Sequence, residues 1–247
     1  YIVTGEQPII TAWTLILSTE TGQPLMLCDA SLLTTARTAA TTALAVDYLA
    51  PKDAKVLTII GTGAVARAHI RYAQNIRDWD EIRVLSRSGN VTAEMICSEL
   101  NIPTELVTVC LLSDEALIGT DVLMLCTSSA TPVIDMQHLL HPCLITSIST
   151  NAPSAHEISP QKLSDMDVYC DYRHTTPTVA GEMVIATQNT DWSPQQILGD
   201  LPELVTGACP KPSYQRHVFF RSLGLGIEDI AIADSVLSYF KEKESLK

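Results

Sequence analysis

Apolar and polar positions change period three times along the chain. Residues 9–28, IITAWTLILSTETGQPLMLC, carry β-rich runs on either side of TETGQP, where Gly22 and Pro24 are turn residues, so they predict two strands joined by a turn. The following SLLTTARTAATTALAVDYLA has Ala and Leu at helical spacing and stops before Pro51, which predicts a helix. Then short buried-type runs alternate with helical stretches. The runs are KVLTII (55–60), IRVLS (82–86), LVTVC (106–110), VLMLC (122–126), CLITSI (143–148) and DVYCD (167–171), with helices expected at 64–77 and 91–100. Strands that are apolar on both faces belong in a parallel sheet covered by crossover helices. From about Phe219 the alternation ends. After FFRSLGLG, whose Ser222-Leu223-Gly224 reads as a helix-entry loop, IEDIAIADSVLSYFKEKE predicts a long helix.

The breaks in this pattern set the expected organisation. Residues 52–214 should form an α/β domain, and residues 1–51 and 215–247 should pack together as a smaller, discontinuous α+β domain. A chain of 247 residues, 46% hydrophobic, can bury a core of that size. The net charge of -12, with only 16 Lys and Arg, argues against a nucleic-acid partner, because phosphate contacts need clustered cations. No apolar run reaches the roughly 18 residues that span a bilayer, and the first residues lack signal-peptide features, so no membrane partner and a cytoplasmic location are expected. Seven cysteines form no CxxC pair; they read as reduced packing residues, with no metal site. The chain opens on Tyr1 rather than Met, and a preceding portion is expected.

Chemistry enters at VLTIIGTGAVARAHI, residues 56–70. Gly61-Thr62-Gly63-Ala64-Val65-Ala66 fits G-x-G-x-x-A directly after an apolar strand and before a helix. Gly61 permits the tight turn, Gly63 lets backbone approach a pyrophosphate, and Ala66 allows close packing of helix on strand; N–H groups opening the helix would hold the phosphates. With the strand pattern, this predicts a Rossmann-like doubly wound parallel sheet. The second strand usually ends on an acid that binds the ribose hydroxyls of NAD. Here it ends on Ser86-Arg87-Ser88, a planar cation between hydroxyls, which suits a 2′-phosphate and predicts NADPH, with NADH possible. Asp80 and Glu81 lie at the wrong end of that strand. Thr127-Ser128-Ser129 follows the fourth strand at the carboxyl edge, where such folds bind ligands; cofactor contact and plain turn chemistry both fit there.

Four stretches in order, CDASLLTTARTAATTALAVDYLAP, IIGTGAVARAH, SISTNAPSAHEIS and FFRSLGLGIED, make the chain resemble the ornithine cyclodeaminase and mu-crystallin family over nearly its whole length. The resemblance implies a homodimer, a dinucleotide-binding domain inserted in a substrate and dimerisation domain, and NAD(P)-dependent chemistry on amino or imino acids. It implies that Arg37, of the RTAA motif, grips the substrate carboxylate, a pairing that a guanidinium makes with two parallel hydrogen bonds. The alternative for Arg37 is a surface arginine paired with an acid. The resemblance also places the backbone of Ser222-Leu223-Gly224, and Leu223 in particular, beside the nicotinamide. A lysine that touches substrate in the family should precede the RTAA helix, yet no lysine precedes Lys52.

One departure redirects the chemistry. At the catalytic position where cyclodeaminases carry an aspartate base, this chain has Asn151, and an amide cannot take up a proton near neutral pH. Reducing a preformed C=N bond asks for less: carboxylate binding, an oriented nicotinamide and a protonated imine. Mu-crystallin-like ketimine reductases also lack the aspartate. The expected activity is therefore NADPH-dependent reduction of a cyclic imino acid, pyrroline-2-carboxylate or piperideine-2-carboxylate, to proline or pipecolate. Ornithine cyclodeaminase and a mu-crystallin-like binder of NADPH and a carboxylate ligand are the alternatives. His156 and Glu157 lie close in sequence, with no assigned role.

Overall fold

A computed structural model of the protein describes residues 2–4, 7–9, 12–149 and 154–245. The chain divides into two compact units, residues 1–38 with 224–247, and residues 39–223. In the first unit, β1 (Ile2–Thr4) pairs antiparallel with β2 (Gln7–Ile9), and β3 (Trp13–Leu17) with β4 (Pro24–Asp29). The β3–β4 turn forms at the expected TETGQP. The Ser18 hydroxyl accepts from the Glu20 and Thr21 N–H groups, and Gly22 takes φ +71°, where a side chain is strained. Asp29 accepts from the Ser31 N–H at 2.9 Å just before α1 (Ser31–Leu49), and α7 (Gly226–Ser245) completes the unit, packing against β3.

The second unit is an eight-stranded, wholly parallel sheet. Its strands are β5 (Val56–Ile60), β6 (Glu81–Ser86), β7 (Val107–Leu111), β8 (Val122–Leu125), β9 (Leu144–Ser147), β10 (Asp167–Cys170), β11 (Ile197–Asp200) and β12 (Val218–Arg221), in the order β11-β10-β12-β9-β8-β5-β6-β7. Every residue of β8, β9, β10 and β12 is buried, as the apolar runs require. Alternate residues feed two cores: Leu57, Ile59, Val84, Met124 and Phe220 on one face, Ile60, Leu85, Leu125, Ile145 and Phe219 on the other. Helices α2 (Ala64–Ala73), α3 (Ala93–Leu100), α4 (Thr176–Val179), α5 (Gly181–Asn189) and α6 (Leu201–Thr206) connect the strands.

All six strands expected from the pattern are present, and two more join them. The expectation that the alternation ends near Phe219 is corrected: Val218–Arg221 is β12, hydrogen-bonded between β9 and β10. β11 was not anticipated, nor were α4, α5 and α6. The last of these opens on a capping box, with Asp200 accepting from Glu203 N–H while the Glu203 carboxylate accepts from Asp200 N–H.

Candidate functional site

A cavity of about 420 Å³ opens at the carboxyl edge of the parallel sheet. It lies where the chain leaves β5 toward β6 on one side and β8 on the other, the switch point at which doubly wound sheets bind ligands. Three strand ends build its wall: Gly61 to Val65 after β5, Ser86 to Ser88 at the end of β6, and Thr127 to Ser129 after β8, with Ile148 beyond β9. Ten of the sequence-predicted residues, Gly61, Thr62, Gly63, Ala64, Val65, Ser86, Arg87, Ser88, Thr127 and Ser128, thus meet around one space.

The glycine loop has two distinct requirements. Gly61 sits at φ +130°, and a Cβ there would lie 2.5 Å from the Cys126 carbonyl oxygen. No side chain fits. Gly63 caps α2 in extended conformation with no side-chain acceptor, and a Cβ on it would meet nothing of the protein within 4 Å. The first-turn N–H groups of α2 therefore open onto the cavity without a competing cap, which suits a pyrophosphate. Ala66 is fully buried against the sheet.

At the end of β6 the Ser86 hydroxyl accepts from the Ser88 and Gly89 N–H groups at 3.3 and 3.2 Å, folding the loop back and leaving the hydroxyl hydrogen for another acceptor. Arg87 is exposed on the cavity rim. Glu81, at the opposite end of the strand, is bound to Arg83 at 2.6 Å, and that guanidinium holds its carboxyl below the usual range. Cys126 also lines the cavity. All seven cysteines are free, and burial pushes the Cys126 thiol well above its ordinary value, which disfavours the thiolate.

On the other side, Thr127 is fixed by a residue with no role assigned from sequence. Glu157 is fully buried, and its Oε1 accepts from the Thr127 N–H at 2.8 Å and hydroxyl at 2.7 Å. Its Oε2 accepts from the Ser147 hydroxyl at 2.7 Å and from the Ile148 and Ser149 N–H groups at 3.2 and 3.3 Å. The segment also makes a local turn bond, the Thr127 hydroxyl accepting from the Ser129 N–H. Arg221 adds a second buried charge at the end of β12. It donates to the Ser147 hydroxyl and the Ser149 carbonyl, and faces Glu182 at 2.9 Å as an ion contact rather than an aligned hydrogen bond. Burial pushes the Glu182 carboxyl up, and Arg221 opposes that. Asp171 accepts from the Leu223 N–H at 2.6 Å, which fixes the backbone of the Ser222-Leu223 segment. A charge inside an apolar run, as in VFFR and DVYCD, is the sequence signal for Arg221 and Asp171.

Not every predicted residue reaches the cavity. Leu223 belongs to the sheet unit but does not line it. Arg37 belongs to the other unit, where its Nε donates to Asp229 at 2.9 Å and its Nη1 to Glu228 at 3.4 Å. Arg37 is thus paired with two acids, but its side chain is largely buried rather than at the surface. Gly224, at φ +82°, makes room for it: a Cβ would lie 1.8 Å from Arg37 Nη1. Asn151 lies outside the described residues. His156 is only half-buried, with Nδ1 on the Ser154 carbonyl at 2.8 Å. Among the described residues no His, Cys, Asp or Glu cluster could hold a metal, and no helix is long and apolar enough to cross a membrane.

Comparison with known proteins narrows what this arrangement means. The chain is 53% identical over 236 residues to the NAD(P)H-dependent anabolic L-arginine dehydrogenase of Pseudomonas aeruginosa, covering 96% of this chain and 74% of that protein. It is 29% identical to the iminosuccinate reductase of Paracoccus denitrificans, over 91% of this chain and 69% of that one. Among solved structures, the Thermococcus litoralis Δ1-pyrroline-2-carboxylate reductase in complex with NADH and L-proline superposes with a TM-score of 0.86 at 26% identity, covering 97% of this chain and 74% of that one. An archaeal alanine dehydrogenase dimer with bound NAD gives 0.85 at 25% identity, over 97% and 74% of the two chains. The sequence profile of the ornithine cyclodeaminase/mu-crystallin family matches residues 4–244, and the chain belongs to that family.

Proposed function

We propose that this protein is an NAD(P)H-dependent oxidoreductase that reduces the C=N bond of an α-imino acid to an α-amino acid. The observation that carries the reaction class is the cavity, where a bare glycine loop, a cationic rim and a hydroxyl-rich wall converge on the switch point of a parallel sheet. The nicotinamide, when bound, supplies the hydride. The protein's own residues hold it: Gly61 to Val65 at the pyrophosphate, Ser86, Arg87 and Ser88 at the adenosine ribose, Thr127 and Ser128 at the opposite end. Because no carboxylate stands at the end of β6, NADPH is the preferred form, with NADH also accepted. Arg37, now held by Asp229 and Glu228, exchanges an acid partner for the substrate carboxylate, and Leu223 backbone borders the nicotinamide. Asn151 holds the catalytic position as an amide that does not titrate near neutral pH.

The substrate reading moves from the cyclic imines expected above to an open-chain one. Identity of 53% to an arginine dehydrogenase supports the imine formed from a guanidino 2-oxo acid and ammonia, which on reduction gives L-arginine. The likeness to a pyrroline-2-carboxylate reductase keeps cyclic imino acids as the second reading. We assign substrate binding and self-association to the unit of residues 1–38 and 224–247. Trp13, Leu15 and Leu17 on β3 and Leu25 and Leu27 on β4 are all exposed there, an apolar hairpin face that supports a homodimer.

The test follows NADPH absorbance with 5-guanidino-2-oxopentanoate plus ammonium, and separately with pyrroline-2-carboxylate. The guanidino substrate should give a kcat/KM at least about tenfold higher. A faster cyclic imine would install the second reading. Proline and ammonia released from ornithine with catalytic NAD, and no imine reduction, would overturn both.

A further inference from the structure

We propose that Glu157 is a positioning residue that locks the ends of β8 and β9 into one rigid wall on the nicotinamide side of the cofactor cavity. This rests on the dinucleotide reading of that cavity. The glycine loop after β5 takes the pyrophosphate and Ser86–Ser88 the adenosine ribose, so the remaining stretch of wall, Thr127–Ser129 with Ile148, is left for the nicotinamide riboside. Glu157 does not line the cavity itself. The residues it grips, Thr127 and Ile148, do.

The hydrogen bonds explain why a carboxylate is needed. Five donors from two segments converge on Glu157, two from Thr127 on one oxygen and three from Ser147, Ile148 and Ser149 on the other. A carboxylate accepts at both oxygens and donates at neither, so it satisfies all five, whereas an amide turns one end into a donor. The two hydroxyls could rotate away from an amide. The N–H groups of Thr127, Ile148 and Ser149 cannot, so either orientation of a glutamine leaves a backbone N–H without its acceptor. Further bonds tie the same pieces: the Ser149 hydroxyl donates to the Ser129 carbonyl at 2.7 Å, and the Ser147 hydroxyl, donating to Glu157, accepts from Arg221 of β12 at 3.2 Å. Among the described residues, no Glu157 bond reaches the glycine loop or the Ser86–Ser88 loop. The consequence of disturbing it is therefore local to one half of the cofactor.

That locality supplies a test that a merely structural role would not pass. Binding of NADPH and of its fragment 2′-phospho-ADP-ribose, which lacks nicotinamide, is measured by calorimetry on wild type, Glu157→Gln and Ser147→Ala. Glu157→Gln should weaken NADPH about tenfold and lower kcat, while the fragment's Kd stays within about twofold. Ser147→Ala, which removes one of the five donors, should shift NADPH the same way by about threefold and again spare the fragment; it keeps the comparison alive if the glutamine variant does not fold. Equal losses for both ligands, or no loss for either, overturn the proposal. Wild-type protein that binds neither ligand overturns the cofactor reading, and this assignment falls with it.

Discussion

Single residues carry the sharpest expectations at the cofactor cavity. A methyl group on Gly61 would meet the Cys126 carbonyl at 2.5 Å in a backbone conformation that side chains rarely adopt, so Gly61→Ala should abolish measurable NADPH binding and lower Tm in a melting experiment. Arg87 answers a different question. Removing it should raise KM for NADPH about tenfold or more and leave KM for NADH nearly unchanged, since only the former offers a 2′-phosphate; equal effects would assign Arg87 to solvent. The place of both residues on the cavity was legible in the sequence because it is local, fixed by neighbours in a strand–loop–helix unit. Glu157 was not, because its partners come from β8 and β9 segments eight to thirty residues away, and no spacing rule marks them.

At the scale of elements, α1 and α2 each depend on one buried side chain. Arg77 donates to the Val46, Asp47 and Ala50 carbonyls that end α1, to Pro51, and to the Asp47 carboxylate at 3.0 Å. Arg77→Ala would take the donor from the Ala50 carbonyl and the packing of a buried side chain, while the Val46, Asp47 and Pro51 carbonyls keep the Ala50 N–H, the Lys52 ammonium and the Ala54 N–H, so it should cost on the order of 2 kcal/mol and lower Tm by roughly 4–8 °C without changing NADPH affinity. In α2, burial pushes the imidazole of His69 down to about 4 from 6.5. Above pH 6.5 it is neutral folded or unfolded. Between 6.5 and 4 the unfolded chain binds a proton that the folded chain refuses, so stability falls with pH by up to about 3 kcal/mol and then levels off. Urea midpoints should show that slope in wild type and a shallower one in His69→Gln, where His217, also pushed down by burial, keeps its share. The elements were uneven in legibility for physical reasons. β5 to β10 announce themselves as buried apolar runs, whereas β11 is four residues, ILGD, between a turn and a cap, and β12 ends in a charge and runs into glycines. For α6, the Asp200 and Glu203 spacing was a usable signal.

For the molecule as a whole, composition and periodicity were enough for the α/β class and the parallel sheet, because strands buried on both faces leave an unambiguous trace. The trace says little about strand order. Order is set by which crossover returns to which edge, and here it puts the last strand in sequence at an interior position, between β9 and β10. That placement has a consequence for synthesis. While the ribosome is still short of Val218, β9 and β10 have no common neighbour, and each offers an open hydrogen-bonding edge flanked by fully buried-type side chains. The sheet can close only when a segment emerging some fifty residues after β10 slots between them, a long-range step of the slow kind. The nascent protein thus spends its most aggregation-prone interval with five strands on one side of the gap, two on the other, and the gap waiting for VFFR.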